Sequence, residues 1–130
     1  MAEKAIEVIL TRQLASYLAV PIFIVDEAGV LVYYNEPAEK VLGLRFEDTG
    51  EMSQERWSNL FEQKDDHGNP IPASALPLAQ ALRHGRPAHG AFWIRGLDGQ
   101  PRRIAVTAFP LIGQARRNLG AIALFWEAPA

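Results

Sequence analysis

Cysteine is absent from this sequence of 130 residues, and its absence excludes several kinds of chemistry. Without a thiol the chain forms no disulfide, offers no thiolate nucleophile and provides no sulfur ligand for a metal ion. The histidines offer little more, because a predicted helix end and Pro87 separate His84 from His89, and His67 lies in another loop. We therefore predict no metal site.

Long apolar runs and an excess of charge of one sign are also missing. No segment approaches the roughly 20 apolar residues of a membrane-spanning helix, and no signal peptide is recognisable. The formal net charge is −2, and the basic residues are scattered rather than gathered in a stripe. We therefore expect a cytoplasmic protein without membrane or nucleic-acid partners. With 48% hydrophobic and 22% charged residues, the composition is typical of one globular domain.

The stretch from Pro21 to Gly43 carries the strongest local pattern. Two runs of β-branched and aromatic residues flank a turn at 26–29, which predicts a β-hairpin. Asn35 then stands where the N-cap of a helix belongs, Pro37 lies in the first turn, and Gly43 lies at the C-terminal end. The stretch therefore predicts strand, turn, strand and helix.

Residues 2–20 are predicted to form an amphipathic helix that ends before Pro21. Its apolar positions recur at helical spacing and form what we call the N-terminal stripe: Ile6, Leu10, Leu14 and Leu18. Because a helix of this length is marginal in water, the stripe should pack against the sheet of its own domain or against a second copy. We predict two parts, the helix at 1–20 and a domain at 21–127.

Beyond Gly43 the sequence predicts short helical turns, one longer helix and three strands. Ser53 is a candidate cap for a short helix, and Ser74 is a candidate cap for a helix that ends at His84, before Gly85. The strands are predicted at about 90–95, 102–111 and 119–126.

Several short segments together resemble PAS sensory domains of bacteria. The hairpin and helix from Pro21 to Gly43 resemble their opening. Other segments are similar to members of the sensor-kinase and phosphatase-regulator type, namely 68–72, 76–78, 81–85, 98–102, 109–111 and 120–123. The resemblance implies an α+β fold, a five-stranded antiparallel sheet with helices on one face and a cavity between them, with the N-terminal amphipathic helix on the other face.

The face of the sheet away from those helices is predicted to be covered. The last two strands are apolar on both faces, whereas a one-sided antiparallel sheet alternates apolar with polar residues. In PAS proteins that resemble this one, that face and the N-terminal helix are commonly where dimers form. We therefore predict a homodimer whose interface contains the N-terminal stripe together with Phe109, Ile122, Leu124 and Trp126.

Catalysis is not predicted. The chain has no Gly-x-Ser-x-Gly pattern, and its serines lack an obvious His and acidic partner. The resemblance implies a non-enzymatic module of bacterial signal transduction that senses a signal or binds proteins, with a signalling protein as a further partner.

A cofactor-bearing redox or gas sensor, with haem or non-covalent flavin, is the alternative. Haem-sensing relatives hold the iron through a His in the last helix before the three strands, where this chain has only His84 at the helix end. Light-sensing flavin relatives use a Cys and side-chain amides, and the matching positions here are Ile94, Ile104 and Phe125. We therefore expect no cofactor.

The remaining site is a small apolar pocket between helix and sheet. Its predicted residues are Leu78, Leu82, Phe92, Ile94, Ile104, Val106 and Phe125. These side chains either fill the core by themselves or surround a small apolar ligand.

Overall fold

The computed structural model describes residues 6–96 and 98–129. The elements are α1 Ile6–Ala15, β1 Ile22–Asp26, β2 Leu31–Tyr34, α2 Glu36–Leu42, α3 Phe46–Thr49, α4 Gln54–Leu60, α5 Pro77–His84, β3 Ala88–Arg95, β4 Pro101–Ile112 and β5 Asn118–Glu127, with single 3₁₀ turns at Ala73–Ala75 and Gln114–Arg116. This order confirms the predicted α+β class and the predicted succession of strands and helices.

The strands form one antiparallel sheet in the order β2-β1-β5-β4-β3. In the first hairpin, the Asp26 carboxylate accepts hydrogen bonds from the backbone N–H groups of Ala28 and Val30, at 2.9 and 3.1 Å. In the middle of the sheet, Gly120 has a φ of +141°, and a Cβ there would lie 2.1 Å from the carbonyl oxygen of Val25. Glycine is therefore required where β5 approaches β1.

The caps of α2 and α4 agree with the sequence pattern. Asn35 Oδ1 accepts from the N–H of Ala38 at 3.2 Å, and Gly43 ends α2 with a φ of 81° in the left-handed region. Ser53 Oγ accepts from the N–H of Arg56 at 3.2 Å, as expected for the cap of α4. Both local predictions are confirmed.

The predicted cap of α5 is wrong. Ser74 lies inside the 3₁₀ turn Ala73–Ala75, and the residue at the N-cap position is Leu76, which makes no side-chain capping bond. Pro77 begins the helix instead. Its fixed φ suits the first helical position, and its missing N–H removes one of the donors that a cap would satisfy.

Helices cover one face of the sheet, which we call the inner face. The larger buried cluster lies there and includes alternate residues of the last two strands, namely Ile104, Val106, Ala108, Ala121, Ala123 and Phe125. Helix α5 packs against β3, β4 and β5, and α2 packs against β1.

Helix α1 lies on the opposite, outer face, over β1, β2 and β5. A second, smaller cluster forms there from Val8, Ala15, Ile22, Ile24, Val32, Leu119 and Ile122. The helix ends at Ala15 rather than near Val20, and hydrogen-bonded turns continue to Leu18. Residues 2–5 of the predicted helix lie outside the described residues.

The face of α1 that packs on the sheet differs from the predicted one. Val8 and Ala15 are buried, whereas Ile6, Leu10 and Leu14 are 67%, 55% and 61% exposed. Of the two predicted partners of the N-terminal stripe, packing against the sheet of its own domain is therefore wrong, and a second copy stays a prediction. Positions 8 and 15 are two helical turns apart and share a face, and the small side chain of Ala15 lets the helix axis lie close to the strands.

Candidate functional site

A small cavity lies between the helices and the inner face of the sheet. Its volume is about 60 Å³, and its wall is almost entirely hydrocarbon. Six of the seven predicted pocket residues line it, namely Leu78, Phe92, Ile94, Ile104, Val106 and Phe125. The prediction for Leu82 is corrected, because this residue packs against the core cluster without lining the cavity.

Aromatic side chains that the sequence analysis did not assign to the pocket complete the wall. Phe23, Trp57 and Phe61 all line the cavity. The ring of Phe23 meets that of Trp57 edge to face, with centroids 5.3 Å apart, and Trp57 Nε1 donates to the carbonyl of Gly29 at 3.1 Å. That hydrogen bond fixes the indole and therefore one side of the cavity.

Gln63 is the polar exception in this wall. It is only 8% exposed, and it follows α4 in a segment without regular periodicity. The sequence pattern gave no reason to place it inside, because a glutamine in an irregular segment is ordinarily solvated.

A second feature of interest is the junction between α1 and the rest of the domain, where Asn35 is 1% exposed. Asn35 Oδ1 accepts from the N–H groups of Ile22 at 3.0 Å and Ala38 at 3.2 Å, and Nδ2 donates to the carbonyls of Ala15 at 3.0 Å and Val20 at 2.8 Å. These four bonds use the full capacity of the amide. One side chain therefore joins the end of α1, the start of β1 and the start of α2.

Arg12 forms a second connection between α1 and the domain. Its guanidinium lies 5.0 Å from the ring centroid of Tyr33 and 5.6 Å from that of Phe46, within the range of cation–π attraction. Burial raises the pKa of the Tyr33 phenol, and the nearby Arg12 charge opposes that rise only in part. The ring that faces Arg12 is therefore neutral at physiological pH.

The predicted interface residues differ in how accessible they are. Ile6, Leu10, Leu14, Leu18 and Trp126 are exposed, whereas Phe109 and Leu124 are partly buried beside the outer cluster. The prediction that Ile122 lies in the interface is corrected, because its side chain is buried in the same cluster as Val8 and Ala15 of its own chain. A second copy cannot reach its side chain without displacing α1.

The surface holds two ion pairs of interest away from both features. Arg102 Nη2 lies 2.8 Å from Asp98 Oδ2, and hydrogen bonds from Arg102, then from the N–H of Gln100, lower the pKa of Asp98 to about 2. Arg103 Nε lies 2.9 Å from Asp66 Oδ1, and Trp93 Nε1 donates to the same oxygen at 3.0 Å. These bonds lower the pKa of Asp66.

Residues 6–96 and 98–129 contain no cluster of three or more side chains suited to hold a metal ion. Within the same residues, every helix is too short or too polar to cross a bilayer.

Comparison with known proteins gives fold relatives and a family. The PAS domain of nitrogen regulation protein NR(II) from Vibrio parahaemolyticus is 21% identical, with a TM-score of 0.65 over 92% of this chain and 98% of that chain. The PAS domain of a Colwellia psychrerythraea protein is 17% identical, with a TM-score of 0.66 over 92% and 97% of the two chains. The Rhodobacter sphaeroides LOV protein is 16% identical, with a TM-score of 0.75 over 96% and 69%.

These structures share the fold of this chain at identities too low to transfer a ligand. No curated protein matches the sequence. The sequence profile of the PAS domain, however, matches residues 19–127, which is most of the chain and includes the cavity, the sheet and Asn35. The chain therefore belongs to the PAS domain family.

Proposed function

We propose that this PAS domain is a non-enzymatic sensory and protein-interaction module that works as a symmetric homodimer through α1 and the outer sheet face. The observation that carries the proposal is the N-terminal stripe, where Ile6, Leu10 and Leu14 are each more than half exposed on a helix already fixed to its domain. A row of large apolar side chains held on an ordered surface is typical of an interaction site.

A second copy is the partner that best fits this surface. Helix α1 covers only the part of the outer face over β1, β2 and β5, and Trp126 of β5 stays 47% exposed beyond it. A two-fold axis would bring the stripe of each copy onto the free part of the other copy's sheet. The same contact would then form twice in the dimer. Asn35 and Arg12 hold the C-terminal half of α1 in a fixed orientation on its domain, which supports α1 as the element that presents the interface.

Light scattering at several protein concentrations tests the homodimer. The intact chain should have the mass of a dimer at micromolar concentrations, and Leu14→Asp should shift it toward the monomer. Ser16→Asp is the matched control, because it places the same charge near the C-terminal end of α1, outside the stripe, where Ser16 is exposed. A monomeric intact chain, or equal masses for the two variants, would contradict the proposal.

Ligand sensing is the second candidate function, and the apolar cavity favours it. We propose that the ligand is small, because the volume is only about 60 Å³. We expect neither haem nor flavin, because about 60 Å³ is small for either group and the three positions that correspond to flavin-binding amides are the hydrocarbon side chains Ile94, Ile104 and Phe125. An absorbance scan of freshly purified protein checks this point. A Soret or flavin band at stoichiometric amount would overturn it.

A further inference from the structure

The side chain of Gln63 lines the cavity and carries a free amide. Among the described residues no donor or acceptor bonds to this amide, although the residue is 8% exposed. The other buried polar side chains differ. Asn35 makes four hydrogen bonds, and Thr49 Oγ1 bonds to the carbonyls of Phe46 and Gly50. Every fully buried side-chain N or O atom among the described residues has a hydrogen-bond partner, so the unbonded amide of Gln63 must keep some accessible surface.

The backbone fixes the direction of Gln63. Lys64 pairs with Trp93 of β3 through two hydrogen bonds, from Lys64 N to Trp93 O at 2.9 Å and from Trp93 N to Lys64 O at 2.8 Å. Trp93 lies on the outer side of the strand, since its neighbours Phe92 and Ile94 line the cavity. Alternation then places Lys64 outward and Gln63 inward.

The carbonyl of Gln63 also accepts from the N–H of Ile71 at 3.0 Å. That bond anchors the segment from its other side, so the inward direction does not depend on the side chain. An amide held in this way can donate and accept at one point of an otherwise hydrocarbon wall.

We propose that Gln63 is the polar anchor of a ligand site in this cavity, and that the ligand is a small neutral molecule with an apolar body and one hydroxyl or carbonyl group. This inference deepens the ligand-sensing function proposed above and rests on it. The lining contains no charged residue, so a carboxylate or ammonium ligand would be buried without a counter-charge.

Volume limits the size of the ligand. An apolar cavity of about 150 Å³ is known to bind benzene, and this cavity has less than half that volume, at about 60 Å³. Molecules of a few heavy atoms, such as short-chain alcohols and ketones, are the class that fits. A buried water bonded to Gln63 is the competing occupant, and the experiment separates the two.

NMR titration of the ¹⁵N-labelled intact chain with 2-propanol, and separately with xenon, tests the proposal. The wild type should show saturable 2-propanol binding, with a nuclear Overhauser effect between the 2-propanol methyl groups and the Gln63 side-chain amide. Gln63→Leu keeps a similar volume and should weaken 2-propanol binding roughly three- to tenfold, because one hydrogen bond is lost. Xenon makes no hydrogen bond, so its affinity should not change.

Gln80→Leu is the matched control, because Gln80 is exposed on α5, and it should alter neither affinity. Equal 2-propanol affinity in the wild type and Gln63→Leu would overturn the proposal. So would an Overhauser effect from the Gln63 amide to water alone. If Gln63→Leu fails to fold, the Overhauser effect in the wild type decides by its presence or absence. The dimer test is independent, since light scattering needs no ligand.

Discussion

The two faces of the sheet are covered to different extents. On the inner face, helices bury a large continuous cluster and leave a cavity of about 60 Å³. On the outer face, one helix buries a small cluster over β1, β2 and β5, and large apolar side chains such as Leu14 and Trp126 stay exposed. The inner face buries most of its apolar area within one chain, whereas the outer face leaves exposed the apolar area that the proposed dimer would bury.

This difference separates two kinds of apolar residue that look alike in the sequence. Phe125 and Trp126 are neighbours in β5, yet Phe125 is 3% exposed and Trp126 is 47% exposed. Phe125 stabilises the core of one chain, whereas Trp126 lies on the surface that we propose contacts a second chain. Changes at such neighbouring positions should therefore have different effects, which can be measured.

The largest expected effect comes from Phe125→Ala. Loss of this buried ring should lower the free energy of unfolding by about 3–5 kcal/mol, because the change enlarges a cavity in the inner cluster. Trp126→Ala should cost less than about 1 kcal/mol in the monomer, since half-exposed surface residues contribute little. Urea denaturation at one low protein concentration compares the two variants. Similar losses in the free energy of unfolding for the two variants would contradict this difference between the faces.

Asn35, which joins the two faces, should give the next largest effect. Asn35→Ala is expected to cost about 2–4 kcal/mol, because a helix cap is lost and buried backbone groups lose their partners. Asn35→Asp keeps the oxygen acceptor for Ile22 and Ala38 but sets a carboxylate against the carbonyls of Ala15 and Val20.

Hydrogen exchange distinguishes the two roles of Asn35. In Asn35→Asp, amides of α1 should exchange faster than in the wild type, while those of α2 stay protected. Unchanged protection of the α1 amides in Asn35→Asp would show that the side chain acts as a cap alone and does not hold α1.

Asp98 should give the smallest effect, because it lies in an exposed turn that belongs to neither face. Its pKa is about 2 in the folded chain and near 3.9 in the unfolded chain. A lowered carboxyl pKa stabilises the fold above about pH 4, and this contribution is lost as the pH falls through about 2. The difference in melting temperature between wild type and Asp98→Asn should therefore shrink between pH 5 and pH 2. A constant difference would contradict the assignment.

Local signals predicted the hairpin and α2 well. Asp26, Asn35 and Gly43 act on backbone groups within a few residues, so their roles can be deduced from spacing alone. The inward positions of β4 and β5 were predictable for a similar reason, because strand alternation and the resemblance to PAS sequences agree on one register.

Contacts between distant residues could not be deduced in the same way. The bonds from Asn35 to Ala15 and Val20 depend on how α1 lies on the sheet, and so does the choice of Val8 and Ala15 as its packed face. Hydrophobic size favoured the N-terminal stripe, but close approach of helix to sheet favoured small side chains. Gln63 was missed because its inward direction comes from the pairing of Lys64 with Trp93, which no periodic pattern shows.

The attachment of α1 to its domain also determines which end of the helix unfolds first. Asn35 holds the carbonyls of Ala15 and Val20, and Arg12 lies over two rings, so the C-terminal half is held more firmly than Ile6. Local unfolding should therefore start at the N-terminal end and stop near Arg12, unless the buried amide of Asn35 is itself released. A partial opening would leave the domain intact while removing Ile6 from the stripe. The strength of the proposed association would then depend on how many turns of α1 are folded.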